Sequence, residues 1–137
     1  MTTRDYFKRA LDAERRIRYL WKRRQHLEEL ATGNTTFTSG GIHATSGNHS
    51  KIEQAVVSIV DLDRALEKEF TQYKKIVGEA EQVINSLPTE RYRNLLYNRY
   101  LCGMSFEQIA EAMNYSTRHI LRMHGEALLE ASHYIPR

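Results

Sequence analysis

SFEQIAEAMNYSTRHILRMHGEALLE, residues 105–130, decides how the rest of the chain is read. Ser105 followed by Gln108 has the S-x-x-Q form of a capping box, in which side chains and backbone at a helix start satisfy each other's donors. Phe106, Ile109, Ala110 and Met113 recur at helical spacing and predict a helix of about two turns. Asn114 tolerates the left-handed backbone that a tight turn between helices needs. Tyr115 is expected to plug that turn inward, and Ser116 to cap a second helix. On that helix Ile120, Met123 or His124, Ala127 and Leu128 trace an inward stripe. Thr117, Arg118, Leu121 and Arg122 fall on the other side near its start, the end that a helix-turn-helix presents to base edges. Capped amphipathic pairs of this kind also occur in plain bundles.

Upstream, PTERYRNLLYNRYL (88–101) predicts a third helix, with Tyr92, Leu95, Leu96 and Tyr100 on one side and Arg91, Arg93 and Arg99 on the rest. Leu87-Pro88 closes the element before it, because proline disfavours helical geometry in the preceding residue and suits the first turn of a new helix. Gly103 is the expected left-handed stop. Residues 88–137 therefore read as one trihelical module, and 1–87 as a separate helical part.

That first part contains two long amphipathic patterns. From Thr2 to Leu30, Tyr6, Ala10, Ala13, Ile17, Leu20 and Leu27 step by threes and fours, interrupted by Arg24 and widened by Phe7, Leu11 and Trp21. Asp5 sits in the first turn, where the helix dipole favours it. From Lys51 to Leu87, Ile52, Ala55, Ile59, Leu62, Leu66, Tyr73, Ile76, Ala80, Val83 and Leu87 fill successive a and d positions of five heptads, broken only at Glu69. Val56, Phe70, Val77 and Ile84 thicken this stripe, which is wider than one partner helix covers. The expected solution is a coiled-coil-like antiparallel hairpin that leaves apolar surface for a second copy or another protein. Between the helices, about 32–50, the composition turns to Gly, Ser and Thr and predicts a mobile loop. His43 and His49 lie there without the Cys or carboxylate neighbours of a metal site.

The fold class expected is thus all-α, since no alternating strand pattern occurs in the 137 residues. No run approaches the roughly 20 apolar residues of a membrane span, and no membrane partner is expected. The single cysteine, Cys102, cannot form an internal disulfide and fits a reducing cytoplasm. The net charge of +3 is unevenly spread: +4 over residues 1–50, −3 over 51–90 and +2 over 91–137. The dense run Arg15, Arg16, Arg18, Lys22, Arg23 and Arg24 reads either as a face for phosphates or polymerase, or as a solvated coiled-coil flank. Catalysis is not expected, because the chain has no phosphate-cradling Gly loop, no H-E-x-x-H and no acid-base constellation around Cys102. His119 and His124 are five residues apart and do not share a helix face, so neither a metal nor another cofactor is expected.

The segment from Ser86 to Ala131 resembles the C-terminal DNA-binding region, region four, of bacterial sigma factors. That family opens the module on Leu-Pro, as Leu87-Pro88 does here, and ends a helix in Arg-Tyr-Leu-x-Gly, as in Arg99-Tyr100-Leu101-Cys102-Gly103. An S-x-x-x-I-A segment follows in the family, here Ser105 to Ala110. The ending YSTRHILRMHG (115–125), with the long helical first half and the Gly/Ser/Thr segment, is similar to small phage and prophage sigma-like regulators of the ArpU and RinA type. The chain departs from the sigma pattern in carrying Asn114 where the turn usually has Gly, and in lacking the aromatic-rich helix of the promoter-melting domain.

The resemblance implies a sequence-specific transcription regulator that binds double-stranded DNA in the bacterial cytoplasm at the nucleoid, activates phage late genes and acts with host RNA polymerase. Arg118 and Arg122 are the expected base or phosphate contacts, because a guanidinium is a bidentate fork for guanine or phosphate. Ser116 and Thr117 suit hydrogen bonds at the helix start, Leu121 a thymine methyl, and His119 a phosphate. Arg91, Arg93 and Arg99 are expected on the DNA backbone, and a homodimer through the long helices is the expected assembly. The alternatives are a small-terminase-like subunit for DNA packaging, and a coiled-coil adaptor that binds no DNA.

Overall fold

The computed structural model describes residues 1–32 and 46–136, with side chains from Ser50 onward in the second stretch. Among these the chain is all-helical: α1 (Thr3–Thr32), α2 (Ser46–Ser86), α3 (Glu90–Leu96), α4 (Phe106–Met113) and α5 (Thr117–Ala131). α3 runs on into a π-helical turn at Tyr97–Leu101. Helix α2 begins at Ser46, so the expected loop is corrected over 46–50. Extending an established helix by a residue costs far less than starting one, and the strong pattern from Ile52 onward carries the helix back through weak formers. His43 lies outside the described residues, as does the side chain of His49.

The chain divides into two compact units, Met1–Glu14 with Gln72–Arg137, and Arg15–Thr71. These boundaries cut α1 and α2, whereas the sequence reading divides the chain at Leu87/Pro88. Pro88 does end α2, but the next helix starts only at Glu90 with Thr89 as its N-cap, correcting the expectation that Pro88 opens it. Breaking the helix does not break the core. Leu87 is 1% exposed and packs in one cluster with Tyr6, Phe7, Ala80, Val83 and Ile84 from the long helices and Leu95, Leu96, Ile109, Ile120 and Met123 from the short ones.

Aromatic rings form the spine of this first unit. Phe7 stacks on Tyr100 at 5.5 Å between centroids, Tyr100 on His124 at 5.8 Å, and Phe106 meets the His124 ring edge-on at 4.9 Å. The π-turn helps place Tyr100: Cys102 N–H reaches back to the Tyr97 carbonyl at 3.1 Å, and Gly103 leaves the helix at φ 69°. A positive φ of that kind is easy only for glycine or asparagine.

The second unit is thinner. Leu27, Ala55 and Leu66 are buried, but Ile17, Leu20, Ile52, Ile59 and Leu62 are only half-buried. The two polar residues that interrupt its heptads are matched. Arg24 binds Asp63 at 2.6 Å and Glu28 at 3.0 Å, and Glu69 binds Arg16 at 3.2 Å. These pairs descend α2 as they ascend α1, so the two segments run in opposite directions. Ion pairs at interrupting positions fix register more than they add stability, since exposed pairs contribute only about 0–1 kcal/mol.

Candidate nucleic-acid interface

The start of α5 is built by two caps and a turn. Ser105 and Gln108 form the capping box in both directions, at 3.1 and 2.9 Å, and set the first turn of α4. Asn114 ends α4 in the left-handed conformation, φ 61° and ψ 42°. The Tyr115 N–H then bonds the Ala110 carbonyl at 2.9 Å, the six-to-one bond of a Schellman end. Ser116 Oγ accepts from the His119 N–H at 3.1 Å and starts α5.

Asn114→Ala is expected to cost about 1 kcal/mol, since a β-carbon is strained in that backbone, while Asn114→Gly is expected to be neutral within about 0.5 kcal/mol. Urea unfolding of the two variants checks this. Equal destabilisation by both would put the role of Asn114 in its side chain.

Tyr115 does not plug the turn. It is 36% exposed and packs against the His119 ring at 4.7 Å between centroids. The left-handed step at Asn114 turns the following residue outward, and the interior position falls to Ile120, fully buried one turn later. Arg118, His119, Leu121 and Arg122 are exposed, Thr117 is half-buried, and among the described residues neither Arg118 nor Arg122 has an ion-pair partner. Leu121, at 51% exposure, is an apolar side chain left open to solvent in the same two turns.

The opposite side of α5 is held in place. Ile120, Met123, His124, Ala127 and Ala131 are buried. Tyr92 donates to Glu126 at 2.8 Å, and Thr89 donates to Glu130 at 3.0 Å, tying α5 to the start of α3. Sequence reasoning missed these acceptors, because nothing in the spacing pairs position 89 with 130.

The three remaining sequence-predicted contacts separate. Arg91 is exposed, with its guanidinium 5.0 Å from the Tyr92 ring centroid. Arg93 is half-buried and donates to the Leu87 carbonyl at 2.5 Å, satisfying an acceptor that the end of α2 leaves open. Arg99 is also half-buried; it donates to the Met104 carbonyl at 3.0 Å and lies 4.2 Å above the Phe106 ring. Both arginines are employed in joining helices.

His124 is 2% exposed, and its Nε2 shares a 2.7 Å hydrogen bond with the Tyr100 hydroxyl. Burial, helped by Arg4 and Arg99 nearby, lowers its pKa to about 4. The folded state therefore keeps this ring neutral where the unfolded chain protonates it near 6.5. The resulting stability is complete above pH 6.5 and is lost as pH falls toward 4. Between pH 6.5 and 5 the loss expected from this group is about 2 kcal/mol. Urea titrations over that range are expected to show a shallower decline in His124→Gln, and parallel curves would refute the assignment.

Among the described residues no three His, Cys, Asp or Glu side chains gather as a metal would require, and no helix is long and apolar enough to cross a membrane. Comparison with family models, with curated proteins and with solved structures found no match to this chain.

Proposed function

We propose that this chain is a sequence-specific regulator of transcription that binds double-stranded DNA, and that it activates phage late genes together with host RNA polymerase. In this reading α3, α4 and α5 form a helix-turn-helix module of the sigma region-four type, and α5 is its reading helix. The long helices form an antiparallel hairpin through which two copies pair. The observation that carries the reading is the pair of exposed, unpartnered guanidinium groups of Arg118 and Arg122, with exposed Leu121, at the capped start of a helix whose other face is buried. Free backbone N–H groups at such a helix start favour phosphate, and guanidinium forks suit guanine edges. Ser116, Thr117 and His119 border the same surface, and Arg91 is the α3 arginine left exposed for the DNA backbone.

Selection of bound fragments from phage genomic DNA, followed by titration of the enriched duplex at several salt concentrations, tests the proposal. One enriched site with steep salt dependence is expected. A ring-shaped oligomer in native mass measurements would replace it with a DNA-packaging subunit. Absence of duplex binding at low ionic strength would replace it with a protein adaptor.

A further inference from the structure

We infer that one side of the Arg15–Thr71 unit is the surface on which a second copy of this chain docks, lined by Trp21, Val56, Val60 and Phe70. The inference deepens the dimer part of the reading above and is independent of DNA. On α2, residues 56, 60, 63, 67 and 70 follow the four-three-four-three spacing of one helix face. Val56, Val60 and Phe70 on that face are 48%, 47% and 45% exposed. Arg24 of α1 reaches this face to bind Asp63, and its guanidinium lies 5.8 Å from the ring centroid of Trp21, which is 49% exposed. The bridge puts Trp21 on the same side as the α2 valines, so the four large apolar side chains share one surface. Beneath them Ile17, Leu20, Ile52, Ile59 and Leu62 are only half-buried, as two helices without further cover leave them.

The occupant follows from charge. Arg16 faces Glu69 and Arg24 faces Asp63, which places Arg18 at the level of Glu67. Both side chains are exposed and both belong to the apolar side, Arg18 one turn before Trp21 and Glu67 one turn before Phe70. On this surface α1 thus sets a cation one turn from Trp21, and α2 sets a carboxylate one turn from Phe70, at the same level. A twofold axis parallel to the helices lays each helix on its opposite at the same level, bringing Arg18 of one copy to Glu67 of the other twice over. Such self-complementarity is what a pairing of like surfaces requires.

Sedimentation equilibrium of the full chain tests this, with helicity followed by circular dichroism. The wild type is expected to be a dimer. Trp21→Glu and Val60→Glu are each expected to raise the dimer dissociation constant by at least about tenfold, because each buries an unpaired charge in the contact. Val57→Glu, on the adjacent face, and Tyr19→Glu, on the other side of α1, are expected to leave it unchanged. Arg18→Glu and Glu67→Arg are each expected to weaken pairing and together to restore it, a result that misfolding cannot produce. A monomeric wild type, a dimer indifferent to Trp21→Glu and Val60→Glu, or a charge swap without restoration would overturn the inference. Loss of pairing that leaves isolated-site DNA binding intact would separate this surface from the DNA reading.

Discussion

Exchanging both Arg118 and Arg122 for alanine is expected to weaken binding to the selected duplex by about 2–6 kcal/mol, at least about thirtyfold, while leaving the fold as it is. The expectation rests on exposure and freedom from partners. Removing an exposed side chain that has no ion-pair partner changes stability by no more than about 0.5 kcal/mol, so the affinity change isolates the contact with DNA. The single variants sort the roles. An arginine on a phosphate weakens all sequences alike and reduces the logarithmic salt slope by about one, whereas an arginine on guanine relaxes preference at one base pair. Unaltered affinity in the double variant would take α5 out of the interface.

The second large effect concerns a residue more than a hundred positions away in sequence. Phe7→Ala is expected to destabilise the first unit by about 3–5 kcal/mol, since Phe7 is completely buried and its ring is one end of the stack through Tyr100 and His124 to Phe106. That is a large share of the roughly 5–15 kcal/mol that holds a domain of ordinary stability. Urea unfolding of the full chain measures it, and DNA binding at raised temperature should fail in the same variant. A change below about 0.5 kcal/mol would mean that the short helices close their core without α1.

Much of the local structure can be read along the chain because its causes lie a few residues apart. The capping box of Ser105 and Gln108, the left-handed Asn114, the Ser116 cap and the Gly103 stop each depend on neighbours within about one turn, and each occurs as its spacing implies. Burial of Ile109, Ile120 and Ala127 follows from the same periodicity. Tyr115 departs from its local expectation, as do Pro88 and residues 46–50. An aromatic residue beside a turn suggests burial, but the left-handed step before it decides the direction of its side chain.

Amphipathic periodicity also marked the long helices, and with them an all-helical chain. It could not say that Tyr6 and Phe7 share a core with α3, α4 and α5, because a stripe states only that a face is covered and not by what. The same ignorance applies to the arginines. Arg91, Arg93, Arg99, Arg118 and Arg122 are alike as letters; tertiary contacts bind two of them to carbonyls of their own chain and leave the rest exposed. Secondary structure was therefore determined by interactions that sequence spacing records, while the membership of the core and the availability of each charge were decided by approaches between distant segments, which spacing does not record.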